Sequence, residues 1–187
     1  MTATTVTAPV SVTGDYDLDS AHSRIGFAAK HAMVTTVRGA FTGYTATVHL
    51  DEENVANSSA RIEIDATSID TANSQRDDHI RGADFFEVEK YPTITFVSTA
   101  AEQTDDDTYV LTGDLTIRGI SKPVAVTFEK TGAAVDPWGN FRVGFEGAGT
   151  INRTDWGVSF NAPIGTGGLL VSEKIKLEFD LALVRKA

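Results

Sequence analysis

The sequence predicts a single all-β domain whose strands form an antiparallel up-and-down barrel or a sandwich. About eight segments alternate apolar and polar residues with a period of two, and short polar turns separate them. A length of 187 residues suffices for one domain with a full core. The chain has neither a tandem repeat nor an internal linker.

The strand-like segments follow a tail that lacks a clear period. We expect residues 1–13 to form a flexible tail or a short edge strand, and residues 14–187 to form the barrel domain. The clearest alternation is residues 174–183, where apolar and charged residues take turns. The predicted strands lie around residues 25–29, 40–50, 60–66, 94–96, 109–118, 124–128, 141–145 and 175–183. The alternation slips at Gly43, which predicts a β-bulge or a sharp bend.

One segment between strands has helical character. Residues 74–81 contain helix formers that follow a capping Asn73 or Ser74. Asp84 can cap a second short turn that ends before Pro92. We therefore expect short helices in the connection around residues 71–91. Phe85 and Phe86 in this connection are either a lid over a barrel mouth or a plug at the end of an ordinary core.

Composition and charge exclude several classes of partner. The formal net charge is −10, so we expect no nucleic-acid partner and an overall repulsion from anionic membranes. No apolar stretch is long enough to span a membrane, so we expect no membrane insertion. The chain has no cysteine and no recognisable secretory signal, and we expect it to be cytoplasmic.

The sequence contains no motif that is typical of a catalytic or metal-binding site. The four histidines, His22, His31, His49 and His79, lack the spacing of metal ligands on one helix or strand face. The glycines at 144, 147 and 149 lie in a strand-like run, which predicts backbone crowding or a bulge there. We expect no catalytic residue, no metal and no cofactor.

Four ordered motifs together resemble the YceI-like polyisoprenoid-binding proteins. The resemblance covers about residues 15–184. The matching segments are residues 19–27 with 30–31 and 37–41, residues 76–81 with 84–86 and 91–96, residues 113–119 with 122–124, and residues 151–157, in which Trp156 stands at the family's Phe position.

This resemblance implies a lipocalin-like, eight-stranded antiparallel barrel that is open at one end. It implies a long-chain isoprenoid or another long-chain amphiphile as the ligand in the lumen, and a homodimer, since dimers are common in the family. Many members are periplasmic and carry a signal peptide, which is not evident here. An eight-stranded barrel has room for side chains or for one slender ligand, so the inward faces form either a filled core or a lined tunnel.

The candidate ligand-binding residues are apolar and mostly lie on inward strand faces. They are Phe27, Phe41, Ile62, Ile64, Phe85, Phe86, Ile94, Phe96, Phe145, Trp156 and Phe179. Phe85 and Phe86 are expected to close the mouth, and the indole N–H of Trp156 to meet a polar head group. The polar groups of Arg153, Asp155 and residues 76–79 are expected to form structural hydrogen bonds.

Two other functions remain open from the sequence. The first is an enzyme that acts on such a lipid, with His79, His31 or Asp155 as the acid or base. The second is a stress or interaction protein whose barrel has a solid core.

Overall fold

One continuous antiparallel sheet accounts for most of the fold. The computed structural model describes residues 10–165 and 167–187, and eleven strands in this part of the chain form the sheet. The strands are β1 (Gly14–Leu18), β2 (Arg24–His31), β3 (Thr35–Phe41), β4 (Tyr44–Leu50), β5 (Ser59–Asp65), β6 (Ile69–Asp70), β7 (Thr93–Asp105), β8 (Thr108–Ile117), β9 (Ile120–Val135), β10 (Phe141–Asn152) and β11 (Lys174–Arg185). Most of the predicted tail lies outside the described residues.

The eleven strands build an eight-stranded wall because three of its strands are each interrupted by a bend. β1 and β2 lie end to end along one edge of β11, β3 and β4 lie along β2 and β1, and β5 and β6 lie along β4 and β3. From β8 to β11 each strand pairs with the one before it, and β7 pairs with β5. The closed antiparallel barrel is therefore confirmed, and the sandwich alternative is wrong.

Both irregularities expected from glycine positions are present in the wall. Gly43 lies in the bend between β3 and β4, and its carbonyl accepts a hydrogen bond of 2.9 Å from the backbone N–H of Asp65. The register between β9 and β10 shifts between Gly144 and Phe145. These findings confirm the predicted bend and the predicted bulge.

The helical connection contains one helix, α1 (Ser74–Arg81). The side-chain oxygen of Asn73 caps its N-terminus by accepting a hydrogen bond of 2.9 Å from the backbone N–H of Arg76. The chain then continues through hydrogen-bonded turns, in which the N–H of Phe85 bonds the carbonyl of Gly82. The second short helix expected before Pro92 is thus a series of turns.

The two halves of the barrel differ in how they are filled. In one half Tyr16, Val143 and Leu183 are almost completely buried and pack against side chains from the surrounding strands. This half is the closed end. In the other half a larger cluster, which includes Ile64 and Ile94, surrounds a cavity, and α1 covers that end.

Arg142 ties together two loops of the closed half. Its guanidinium donates to Asp19 Oδ2 at 2.6 Å and to Asp136 Oδ2 at 2.7 Å. The bond from Arg142, assisted by one from His22, lowers the pKa of Asp19 to about 2. The bond from Arg142 also holds the pKa of Asp136 well below its usual range. Asp19 lies between β1 and β2, so this network stabilises the break in the first barrel strand.

Replacing Arg142 with Met is expected to lower the free energy of unfolding at pH 7, because Asp19 and Asp136 both lose their guanidinium partner. A carboxylate with a lowered pKa stabilises the fold above about pH 4, and this contribution disappears as the pH falls toward the folded-state pKa. The difference between wild type and R142M should therefore shrink between about pH 5 and pH 2. Urea unfolding at several pH values measures it.

The matched control is Arg61→Met, since the Arg61–Glu63 pair is about half exposed. This change should cost less than about 0.5 kcal/mol at pH 7, which is a smaller loss than in R142M. A deficit in R142M that stays constant down to about pH 2 would contradict the assignment.

Candidate functional site

A cavity of about 630 Å³ occupies the half of the barrel that α1 covers. This volume lies in the range of ligand-binding cavities in proteins. Aliphatic and aromatic side chains from all sides of the wall provide most of the lining. The cavity is partly open to solvent, and its mouth lies between α1, the turns that follow it and the loop between β10 and β11. A fully solid barrel core is therefore wrong for this half.

Nine of the eleven candidate residues line this cavity. They are Phe27, Phe41, Ile62, Ile64, Phe85, Phe86, Ile94, Phe96 and Phe179. The alternating pattern placed the strand residues of this set on the inward face, where the structure has them. Their contact with a ligand stays a prediction.

Trp156 and Phe145 lie elsewhere, in contrast to the expectation. Trp156 is 2% exposed, and its indole N–H already donates to the carbonyl of Leu115 at 2.9 Å, so it is not available to a head group. Phe145 packs against the closed-end cluster, and its ring meets the ring of Tyr109 edge-on at 6.1 Å. Trp156 therefore supports the wall around the cavity, and Phe145 supports the packed end.

Glycines on the inward face explain how the lumen stays open. Gly39 pairs with Phe27 across β2 and β3, and a Cβ atom on Gly39 would lie 2.5 Å from the ring. Gly147 pairs with Phe128, and a Cβ atom there would lie 2.3 Å from that ring. Each ring thus occupies the space over a glycine of the neighbouring strand and lies along the wall, which leaves the centre free.

The aromatic residues at the mouth form two groups of contacting rings. The ring of Phe86 lies 6.0 Å from that of Phe41, and the ring of Phe85 lies 5.3 Å from that of Phe160. The ring of His79 contacts Phe85 and Phe160 edge-on, at 5.2 and 4.9 Å. The sequence did not single out Phe160, because its loop has no period that predicts an inward face.

The expectation of structural hydrogen bonds is confirmed for two polar groups. Arg153 is buried and donates to the carbonyls of Val158, Ser172 and Val171, at 2.6, 2.9 and 3.3 Å. Burial lowers its pKa from the usual arginine value. Asp77 is also buried and accepts hydrogen bonds from the backbone N–H and the hydroxyl of Thr71, at 2.9 and 2.5 Å. These bonds fix the loops on either side of the mouth.

The ionisable side chains that touch the cavity are basic. His31, Arg76, His79 and Arg153 belong to the lining, whereas none of the described lining residues is Asp or Glu. The guanidinium of Arg76 is positioned by two bonds of 2.7 Å, from Nε to the hydroxyl of Thr71 and from the terminal nitrogen to its carbonyl. This arrangement suits an amphiphile with an apolar chain inside and acceptor oxygens at the mouth.

His79 is the one expected acid or base with a carboxylate partner at this site in the described part of the chain. Its Nε2 lies 2.8 Å from Asp84 Oδ2. His31 also touches the cavity, whereas Asp155 does not. No serine, threonine or cysteine belongs to the described lining residues, so this pair has no neighbouring nucleophile there. Within residues 10–165 and 167–187, no cluster of His, Asp and Glu is suited to hold a metal ion.

None of the helices in the described residues is long and apolar enough to cross a membrane.

Solved structures of other bacterial proteins have the same fold. Burkholderia cenocepacia BcnA superposes with a TM-score of 0.76 at 28% identity, over 88% of this chain and 98% of BcnA. The Campylobacter jejuni YceI protein superposes with a TM-score of 0.73 at 31% identity, over 84% of this chain and 90% of its own. A polyisoprenoid-binding domain from Saccharophagus degradans shares the fold with a TM-score of 0.70 at 15% identity, over 91% and 98% of the two chains.

Sequence comparisons agree with the structural ones. The chain is 38% identical over 149 residues to a UPF0312 protein of Photorhabdus laumondii, which covers 80% of this chain and 76% of that protein. It is 37% identical over 150 residues to protein YceI of Escherichia coli O157:H7, covering 79% and 78%. The family model of the YceI-like domain matches residues 16–183. The chain therefore belongs to the YceI-like domain family.

Proposed function

We propose that this protein binds one long-chain amphiphile, an isoprenoid or a similar lipid, in the barrel lumen and thereby sequesters or carries it. The observation that carries this proposal is the apolar cavity of about 630 Å³ with basic groups at its mouth. The polyisoprenoid-binding domain of Saccharophagus degradans, which has the same fold, is consistent with this ligand class. The cytoplasmic location and the homodimer stay predictions.

Burial of an apolar chain provides the driving force for this binding. Each methylene removed from water contributes roughly 0.8 kcal/mol, and part of that gain offsets the entropy lost when a flexible chain is ordered. The basic groups at the mouth add hydrogen bonds to a polar head, which sets the direction in which the chain enters. The absence of a serine, threonine or cysteine beside His79 among the described lining residues favours binding over the alternative of an enzyme on the same lipid.

Native mass spectrometry of freshly purified protein, followed by organic extraction, tests the proposal. We expect one apolar molecule per chain, or uptake of one polyprenyl compound by protein that was first stripped of lipid. Stripped protein that takes up neither a polyprenyl compound nor a long-chain fatty acid would contradict the proposal.

A matched pair of substitutions separates cavity from core. Ile64→Phe adds volume on the cavity lining, so the melting temperature should hardly change while binding of a polyprenyl probe weakens by about tenfold. Val143→Phe adds volume in the packed end, where neighbours must leave their rotamers, and should cost about 1–3 kcal/mol. Thermal melts and titrations of both variants provide the measurement. Equal destabilisation by the two changes, with unchanged binding, would show that the face of Ile64 is core.

The head group is tested at Arg76. Replacing Arg76 with Leu should weaken binding of a prenyl diphosphate by about tenfold or more, because a charged hydrogen bond is lost. The corresponding prenyl alcohol should bind the variant and the wild type with similar affinity, since the chain contacts remain. Isothermal titration with both ligands is the measurement. Equal losses for the alcohol and the diphosphate would place the head group away from Arg76.

A further inference from the structure

A cluster of large apolar side chains is exposed beside the mouth of the cavity. Met33 and Val34, at the tip of the hairpin between β2 and β3, are 61% and 79% exposed, and Leu169 is 39% exposed. The backbone N–H of Ala32 donates to the carbonyl of Leu170 at 2.8 Å, so the hairpin tip and the neighbouring loop are adjacent. Leu170 itself lines the cavity. We call Met33, Val34 and Leu169 the tip patch.

The hairpin tip retains an apolar side chain where the backbone favours glycine. The N–H of Val34 bonds the carbonyl of His31 at 3.0 Å, and the two residues between them, Ala32 and Met33, have φ angles of 50° and 59°. Hairpin turns with two positive φ angles prefer Asn-Gly, and methionine is uncommon in this region. The exposed methionine therefore lowers local stability. Contact with a partner would offset this cost and is a physical reason for the presence of methionine.

Basic side chains flank the tip patch on the outer wall. Arg38 and Lys176 are both opposite Ala28 in the register of β3, β2 and β11, and each is about three-fifths exposed. Lys30 lies one step closer to the tip on the same outer face, and Glu178 offsets part of the charge. No Asp or Glu occurs in residues 20–50 or in residues 156–172. This side of the mouth is therefore locally basic in a chain of net charge −10.

The opposite end of the barrel is acidic. Residues 51–53, which follow β4, are all acidic, and so are residues 105–107 at the tip between β7 and β8. Asp136 lies in the adjacent turn between β9 and β10. The closed end thus carries these acidic loops, whereas the tip-patch side of the mouth is basic, and a negative surface would turn that side toward itself.

We propose that the open end of the barrel docks on the surface of a bilayer that contains anionic lipids. The tip patch enters the interface, the basic side chains of Lys30, Arg38 and Lys176 meet the lipid head groups, and the cavity mouth faces the membrane. This inference rests on the proposed function. A lipid ligand would pass between the bilayer and the lumen of the docked barrel without crossing water. Complementary charge and the continuity of the patch with the cavity favour a bilayer over a second copy of the chain.

Vesicle flotation tests the docking. The wild type should bind vesicles of equimolar phosphatidylcholine and phosphatidylglycerol more tightly than vesicles of phosphatidylcholine alone. The double variant Met33→Gly/Val34→Ser should lose about tenfold or more in affinity for the mixed vesicles. Because glycine relieves the left-handed backbone at position 33, its melting temperature should not fall. Arg38→Gln and Lys176→Gln should each lose about fivefold, and the loss should vanish at high salt.

The matched control is Trp138→Ser, which removes an exposed apolar side chain, 83% exposed, from the acidic end. This variant should bind vesicles like the wild type. Loss of binding in Trp138→Ser but not in the tip variants would overturn the proposal, and so would a tip variant that changes only the oligomeric state. Uptake of a fluorescent prenyl probe in vesicle-free buffer is measured in parallel. A wild type that takes the probe but never binds mixed vesicles overturns the docking alone, whereas a wild type that binds vesicles but takes no probe overturns the proposed function.

Discussion

Closure of the barrel depends on β11, which pairs with β10 along one edge and with both β1 and β2 along the other. β1 and β2 are the two parts of the first barrel strand, and β11 pairs with both of them. The break between them, at residues 19–23, therefore decides the geometry of the wall. Arg142 holds that break through its ion pair with Asp19. β1, on one side of this break, contributes Tyr16 to the packed half, and β2, on the other side, contributes Ile25 to the half with the cavity.

The cavity also depends on where large and small side chains face each other across the wall. An eight-stranded barrel is just wide enough for its own side chains to fill, so a lumen needs a device that keeps rings out of the centre. Gly39 and Gly147 provide it, because each lies opposite a phenylalanine and gives the ring room against the wall. A side chain at either glycine would push the ring inward and narrow the space for a ligand.

The period of two in the sequence predicts which face a residue belongs to, but not how far along the barrel axis it lies. Ile64 and Phe145 have the same inward pattern, yet one lines the cavity and the other supports the packed end. Only the register between distant strands separates them. Trp156 was misassigned for a related reason, since its partner, the carbonyl of Leu115, lies 41 residues away in the chain. The capping residues and helix formers predicted the helical connection at residues 71–91, which covers the mouth. No periodic pattern predicted the inward position of Phe160.

The net charge sets the electrostatic interaction of a protein with a distant partner, whereas the distribution of charge over its surface sets the interaction at contact. The acidic loops at the closed end and the basic wall beside Met33 belong to one barrel. The charge is therefore unevenly distributed along the barrel axis. The cavity mouth, the basic lining groups such as Arg76 and the exposed hairpin tip all lie at the same end. Under the proposed function, an amphiphile that enters there leaves its polar head beside the basic groups and its chain in the lumen. One end of the barrel would then serve both for binding the head group and for exchange of the ligand, while the packed end serves stability.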